Sequence, residues 1–128
     1  MTFLPPPVQK PRIPIWVVGA WPSMKSMRRV LRYDGLLPAK LNADGSFADI
    51  TPADIQAMKA YITERRTQST PFDIVMEGET PGDNHEQAVA IVRPYADAGA
   101  TWWMESRWSA ASSDVVRTRI RQGPPRVE

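Results

Sequence analysis

Cysteine is absent from the 128 residues. That excludes disulfides, thiolate metal sites and thiol nucleophiles, and is compatible with a reducing cytosol. Histidine occurs once, at His85, too few for a His-rich zinc site; a Ser-His-Asp triad is poorly supported for the same reason. His85 falls in the first turn of an expected helix and reads as a surface residue. Charge of one sign is also scarce. Sixteen basic residues face 14 acidic ones for a net charge of +2, without a polybasic tract, so neither nucleic acid nor an acidic membrane is an expected partner. No apolar run reaches the length of about 18 residues that a membrane-spanning helix needs. MTFLPPPVQK has no charged n-region leading into an apolar h-region. These absences predict a soluble, cytoplasmic protein with no metal site.

What is present begins with proline. Pro5, Pro6, Pro7, Pro11 and Pro14 make residues 1–12 an extended, polyproline-like connector that cannot be helical. Ile13 to Val18 is a short apolar run rich in β-branched residues, the pattern of a strand buried on both faces. From Ser23 to Tyr33, Met24, Met27, Val30 and Leu31 form one stripe of an amphipathic helix whose other face is basic. Leu36 to Ala39 is a second strand, weakened by Pro38, and residues 42–50 read as a loop. Thr51, Pro52 and Asp54 start a helix with a capping hydroxyl, a proline at the first helical position and a carboxylate at the positive end; Ile55, Met58 and Ile62 are its buried stripe. Phe72 to Met76 is a third strand. Asp83 and Glu86 resemble a capping box for a helix that Gly99 closes and Pro94 should kink or open. Thr101 to Met104 is a fourth strand, and Asp114 to Gln122 a last helix.

Residues 13–128 thus read as one α/β domain of four consecutive βα units. Such alternation implies parallel strands joined by right-handed crossovers. Four units build either a small open sheet or half of an eight-fold barrel, and periodicity does not choose between them.

In both architectures ligands bind at the carboxyl ends of the strands. The first such loop holds Gly19, Ala20, Trp21, Pro22 and Ser23; the second Lys40; the third Glu77, Gly78, Glu79 and Thr80; the fourth Glu105, Ser106, Arg107 and Trp108. Gly19 permits close backbone approach, and the helix beginning at Ser23 has free N–H groups that suit a phosphate. Neither GxGxxG nor GxxxxGK[ST] occurs, and a plain turn capped by Ser23 explains the same residues. Glu77, Glu79 and Glu105 could serve general acid or base chemistry if two converged in a dry pocket; otherwise they are solvated loop carboxylates. Trp102 and Trp103 point to opposite faces of a strand, so at least one is core packing. Trp21, Arg107 and Trp108 are candidates for contact with a flat ring. The arginines of RTRIRQGPPR would pair with an acidic neighbour or a phosphate, or form a solvated face.

Four segments, FLPPPVQKPRIPIWVVGAWPS, RRVLRYDGLLP, PFDIVMEGETPGD and YADAGATWWMESRW, together resemble the C-terminal half of luciferase-like monooxygenases. These are flavin- or deazaflavin-dependent oxidoreductases related to bacterial luciferase. The resemblance implies strands five to eight of a (β/α)8 TIM barrel with their helices. It implies FMN or the deazaflavin coenzyme (factor 420) as cofactor, its phosphate end held by Gly19, Ala20, Trp21 and Ser23, and hydride or electron transfer at the flavin-type ring to an unknown small-molecule substrate. It assigns no catalytic residue. The family's N-terminal half has no counterpart here, which implies a homo-oligomer or a complementing N-terminal half. A non-catalytic half barrel acting as a dimerising scaffold, or a free-standing α/β domain binding a phosphorylated ligand at Ser23, would share the sequence pattern.

Overall fold

A computed structural model describes residues 4–127; the first three residues of the expected connector and Glu128 lie outside it. The described residues form an α/β fold, with a mostly parallel sheet of five strands and four helices. β1 (Trp16–Trp21) leads to α1 (Met24–Val30), β2 (Gly35–Leu41), the two-residue β3 (Phe47–Ala48) and α2 (Pro52–Arg65). β4 (Asp73–Gly78), α3 (His85–Ala98), β5 (Trp102–Glu105) and α4 (Ser113–Gln122) follow.

Local chemistry explains the element ends. β1 starts three residues later than the apolar run suggests, because the Ile15 N–H is donated to the Asp34 carboxylate, which also pairs with Arg12 at 2.6 Å. α1 stops at Val30, and the amides of Arg32 and Tyr33 close a turn onto Arg29 and Val30. α2 has the expected Thr51–Asp54 capping box. α3 is capped by Asn84 rather than Asp83: the Asn84 side chain accepts the Gln87 N–H at 3.0 Å. It ends on Gly99 at φ +117°, a left-handed conformation that costs glycine least. Pro94 does not interrupt it, since the helix is continuous through residue 94 and anchored by buried Ala88, Val92 and Ala98.

The expected loop at 42–50 contains β3. Gly45 adopts φ +84° and Asp44 accepts two hydrogen bonds from Ser46, folding a five-residue hairpin that pairs Leu41 with Phe47. Short hairpin strands of this kind carry little hydrophobic pattern, so the sequence offered no periodicity to read. Pro38 is tolerated because β2 pairs with β4 only at Gly35 and Leu36, and meets β3 only from Lys40. Between them that edge has no partner for an N–H to reach.

Strand order is β1-β2-β4-β5, each strand beside its predecessor in the parallel series. In-register residues of neighbouring strands share a face. Val17, Leu36 and Ile74 align across three strands, and Met76 aligns with Trp103. All of these join the cluster formed with Met27 and Val30 of α1 and with Ile55, Met58 and Ile62 of α2. Among the described residues no helix covers the opposite face. Val18 is 52% exposed and Trp102 55% exposed there. Trp16 and Trp102 meet with ring centroids 5.6 Å apart, and Val75, on a strand between them, is buried. The sheet is therefore apolar on both sides but covered on one.

Candidate functional site

The carboxyl ends of β4 and β5 come together, and there the structure builds a buried polar cluster. Thr80, 1% exposed, follows β4; Glu105 ends β5. The Thr80 hydroxyl donates to Glu105 Oε2 at 2.7 Å and the Thr80 N–H to Oε1 at 2.8 Å. The Trp103 indole N–H adds a third bond to Oε2 at 3.3 Å. Two arginines close the cluster. Arg119, buried on α4, donates Nε to the Thr80 carbonyl at 3.2 Å, Nη2 to the Thr80 hydroxyl at 2.8 Å and Nη1 to the Gly123 carbonyl at 2.5 Å. Its Nε also lies 3.4 Å from Glu105 Oε1. Arg107 donates Nη2 to the Thr80 carbonyl at 2.5 Å and pairs with Glu105 at 3.3 Å and, more distantly, with Glu79 at 3.8 Å.

Burial pushes the Glu105 carboxyl up, but the Thr80 hydroxyl and amide, the Trp103 indole and the Arg119 charge outweigh it, so its pKa lies below the ordinary 4.5. Glu105 is thus an ionised anchor for two guanidinium groups, not a group poised to exchange a proton near neutrality. A carboxyl whose pKa falls on folding stabilises the fold above its unfolded value and loses that contribution as pH falls through the folded one. Thermal melts followed from pH 7 to pH 3 should therefore show the melting temperature dropping below about pH 4.5. Glu105→Gln should be less stable at neutral pH and show a smaller drop on acidification; an identical acid profile would remove Glu105 from the cause.

A cavity of about 930 Å³ runs along β5 beside this cluster. Thr101 to Trp108 form one wall, and Val116 and Ile120 of α4 with Pro124 and Pro125 form the other. Trp108, 87% exposed, stands at its rim with its indole N–H donated to the Glu77 carboxylate. A smaller cavity of about 430 Å³ lies on the far side of Arg107 and Arg119, and Asp83 and Asp114 also line it. Its acidic walls offset its two cations.

The other expected site residues sit elsewhere. Gly19 faces the helix layer, where an added Cβ would lie 2.4 Å from Leu36 Cδ1 and 2.9 Å from Val30 Cγ2; core packing accounts for this glycine. Trp21 packs edge-on against Tyr61 at 6.4 Å in the same layer. The Ala20 N–H is donated to Ser26 Oγ at 2.9 Å and the Ser23 N–H to the Ala20 carbonyl at 2.9 Å. Ser23 Oγ caps α1 by accepting the Ser26 N–H at 3.4 Å. As folded, the turn spends those amides on itself, and α1 has only seven residues. Lys40 is tied to Asp54 at 2.9 Å on α2. His85 begins α3 at the surface.

Of the fourth-loop candidates, Glu105 and Arg107 enter the cluster, and Trp108 pairs at its edge with Glu77 of the third loop. Thr80 was legible only as a loop residue. Arg119 was one of several closing arginines, and the one signal in its favour was basic charge near acidic loop residues. Among the described residues no group of three or more His, Asp or Glu side chains could hold a metal ion, and no helix is long and apolar enough to cross a membrane.

Comparison of the chain with protein-family models, with curated proteins and with solved structures gives no match.

Proposed function

We propose that the chain is the C-terminal part of a luciferase-like oxidoreductase, four βα units of a (β/α)8 barrel that work with FMN or the deazaflavin coenzyme once a second polypeptide surface completes the sheet. The observation that supports this most is the strand order. Doubly wound sheets reverse direction at a switch point and cover both faces with helices. Here the parallel strands succeed one another without reversal, with helices over one face and, among the described residues, an apolar face opposite that no helix covers. Consecutive barrel units have that arrangement, because their second face looks into the barrel interior.

The cofactor would supply hydride or electron transfer at its ring. The chain's contribution is to hold and orient it. The Gly19–Ser23 turn lies at a strand carboxyl end, where barrel ligands bind; to hold a phosphate, the amides of Ala20 and Ser23 must leave Ser26 Oγ and the Ala20 carbonyl. Trp108 and the exposed part of Trp102 offer flat apolar surface toward a ring system. Arg107 and Arg119 are engaged with Thr80 and Glu105 and serve to fix the ends of β4 and β5.

A non-catalytic half barrel is the second reading, favoured by the self-satisfied turn and by a Glu105 held ionised. Fluorescence titration of the purified chain with FMN and with the deazaflavin coenzyme separates the two. Saturable binding, tightened when Ser26→Ala removes the acceptor that competes for the Ala20 N–H, is expected on the oxidoreductase reading. Absence of binding to both compounds by the well-folded chain, at up to about 1 mM ligand, would leave the scaffold reading standing.

A further inference from the structure

We infer that residues 123–127 form a displaceable strap over the edge of β5, holding single chains apart until a second copy supplies the strand that completes the sheet. The inference rests on the barrel reading above, because that reading requires a strand beside β5.

The path of the strap follows from a few residues. Gly123 ends α4 at φ +79°, a conformation that costs glycine least, and Arg119 Nη1 donates to its carbonyl at 2.5 Å. Pro124 and Pro125 cannot continue a helix and keep the backbone extended. Gly123, Pro125 and Val127 are half-buried while Pro124 and Arg126 are exposed, the period of two that an extended segment shows against a surface. Pro125 borders the 930 Å³ cavity, and shares with Val127 a second space of about 240 Å³ beside Tyr95, Trp102 and Trp103. Trp102 lies on the bare face and Trp103 on the helix face; a residue that adjoins both stands at the edge of the strand.

Main-chain pairing does not hold the strap there. Prolines have no N–H to donate, and among the described residues no backbone hydrogen bond joins residues 124–127 to β5. What holds it is the bond to the Gly123 carbonyl and the partial burial of Pro125 and Val127. The spaces left around it show that it fills the groove incompletely. An incoming strand would pair with the β5 backbone and lie against Val116 and Ile120 of α4, which border the larger cavity. Ile120 is 71% exposed, so its apolar surface is not used by the strap.

The other edges are covered differently. β3 is two residues long, too short to template a strand. On β1, Arg29 Nη2 donates to the Val18 carbonyl at 3.1 Å and Ser26 Oγ accepts the Ala20 N–H at 2.9 Å. The parallel strands β1, β2, β4 and β5 are half the eight of a closed barrel. A second copy running in the same direction would place its β1 against β5 and its β5 against β1. That parallel closure uses both edges of each copy about a twofold axis and ends at two copies. It requires the strap to leave β5 and the α1 side chains to release β1.

A closed strap lowers the fraction of chains competent to pair, and apparent affinity falls in proportion. Sedimentation velocity from about 1 to about 200 μM, a span that brackets weak association, compares the chain with Pro125→Gly/Val127→Ser. That pair of substitutions removes both inward apolar side chains and leaves the net charge unchanged. The double variant should dimerise at least about tenfold more tightly than the unaltered chain. Val127→Asp, which sets a carboxylate against apolar surface, should act in the same direction. Arg126→Gln, at an outward-facing residue, should leave association as it was. On dimerisation, hydrogen exchange should slow in both β5 and β1, since each gains a partner strand. Association that neither strap variant strengthens overturns the inference. So does association without added protection in both strands, or growth beyond two copies. Titration of the same samples with FMN and the deazaflavin coenzyme reads the oxidoreductase proposal separately. Strap-dependent dimers that bind neither compound defeat only that proposal; cofactor binding by a chain whose association ignores the strap defeats only the strap.

Discussion

Arg119→Ala is expected to lower the stability of the folded chain by about 3–5 kcal/mol, the range found when one partner is removed from a buried ion pair. Arg119 is almost wholly buried and bonds to the Thr80 carbonyl, the Thr80 hydroxyl and the Gly123 carbonyl. Removing it leaves these acceptors short of donors and Glu105 with Arg107 as its remaining close cationic partner. It also detaches α4 from the end of β4, since the helix buries little else. Urea unfolding followed by tryptophan fluorescence measures the loss. With total stabilities of about 5–15 kcal/mol for domains of this kind, such a loss moves a large share of the chain toward the unfolded state. A change below about 1 kcal/mol would mean that the pair behaves as a solvent-screened surface bridge. Arg119→Lys should recover only part of the stability, because an ammonium cannot reproduce the fork that spans Thr80 and Gly123.

Gly19→Ala is expected to cost about 1–3 kcal/mol with no ligand present, as overpacking of a filled core does. The added methyl would approach Leu36 Cδ1, Val30 Cγ2 and Met27 Sδ, at 2.4, 2.9 and 3.1 Å. All three neighbours are fully buried, so none can swing into solvent. The same urea experiment reads the effect, and cofactor titration of the variant gives it meaning. A stability loss with cofactor affinity preserved makes Gly19 a packing residue. Lost affinity at unchanged stability would restore it to the role of a glycine kept small for a ligand, the role that the luciferase-like resemblance implies.

The two substitutions mark where sequence reading stops. One concerns a helix side chain that reaches the end of β4 and the other a glycine within β1, and both depend on what faces them across the chain. The alternation of strand and helix was legible because its signals are local: apolar runs at β1, β4 and β5, the Thr51–Asp54 box, and the Gly99 stop. Boundaries moved where a distant group intervened, as when Asp34 took the Ile15 N–H. β3 was invisible because two residues carry no period.

By itself, then, the amino-acid sequence determined the α/β class, the order of the four βα units, and the absence of thiol chemistry and of long apolar spans. These follow from spacing, capping and composition, which act within a few residues. Only the tertiary structure decided that Trp21 and Gly19 face the helix layer, that Trp102 lies on the bare face, and that Thr80, Glu105, Arg107 and Arg119 form one cluster. Thr80 and Arg119 are 39 residues apart in the chain. Their contact requires β4 and β5 to pair in one particular register and α4 to return over the end of β4. That placement is set by packing of the whole domain, which no local pattern encodes.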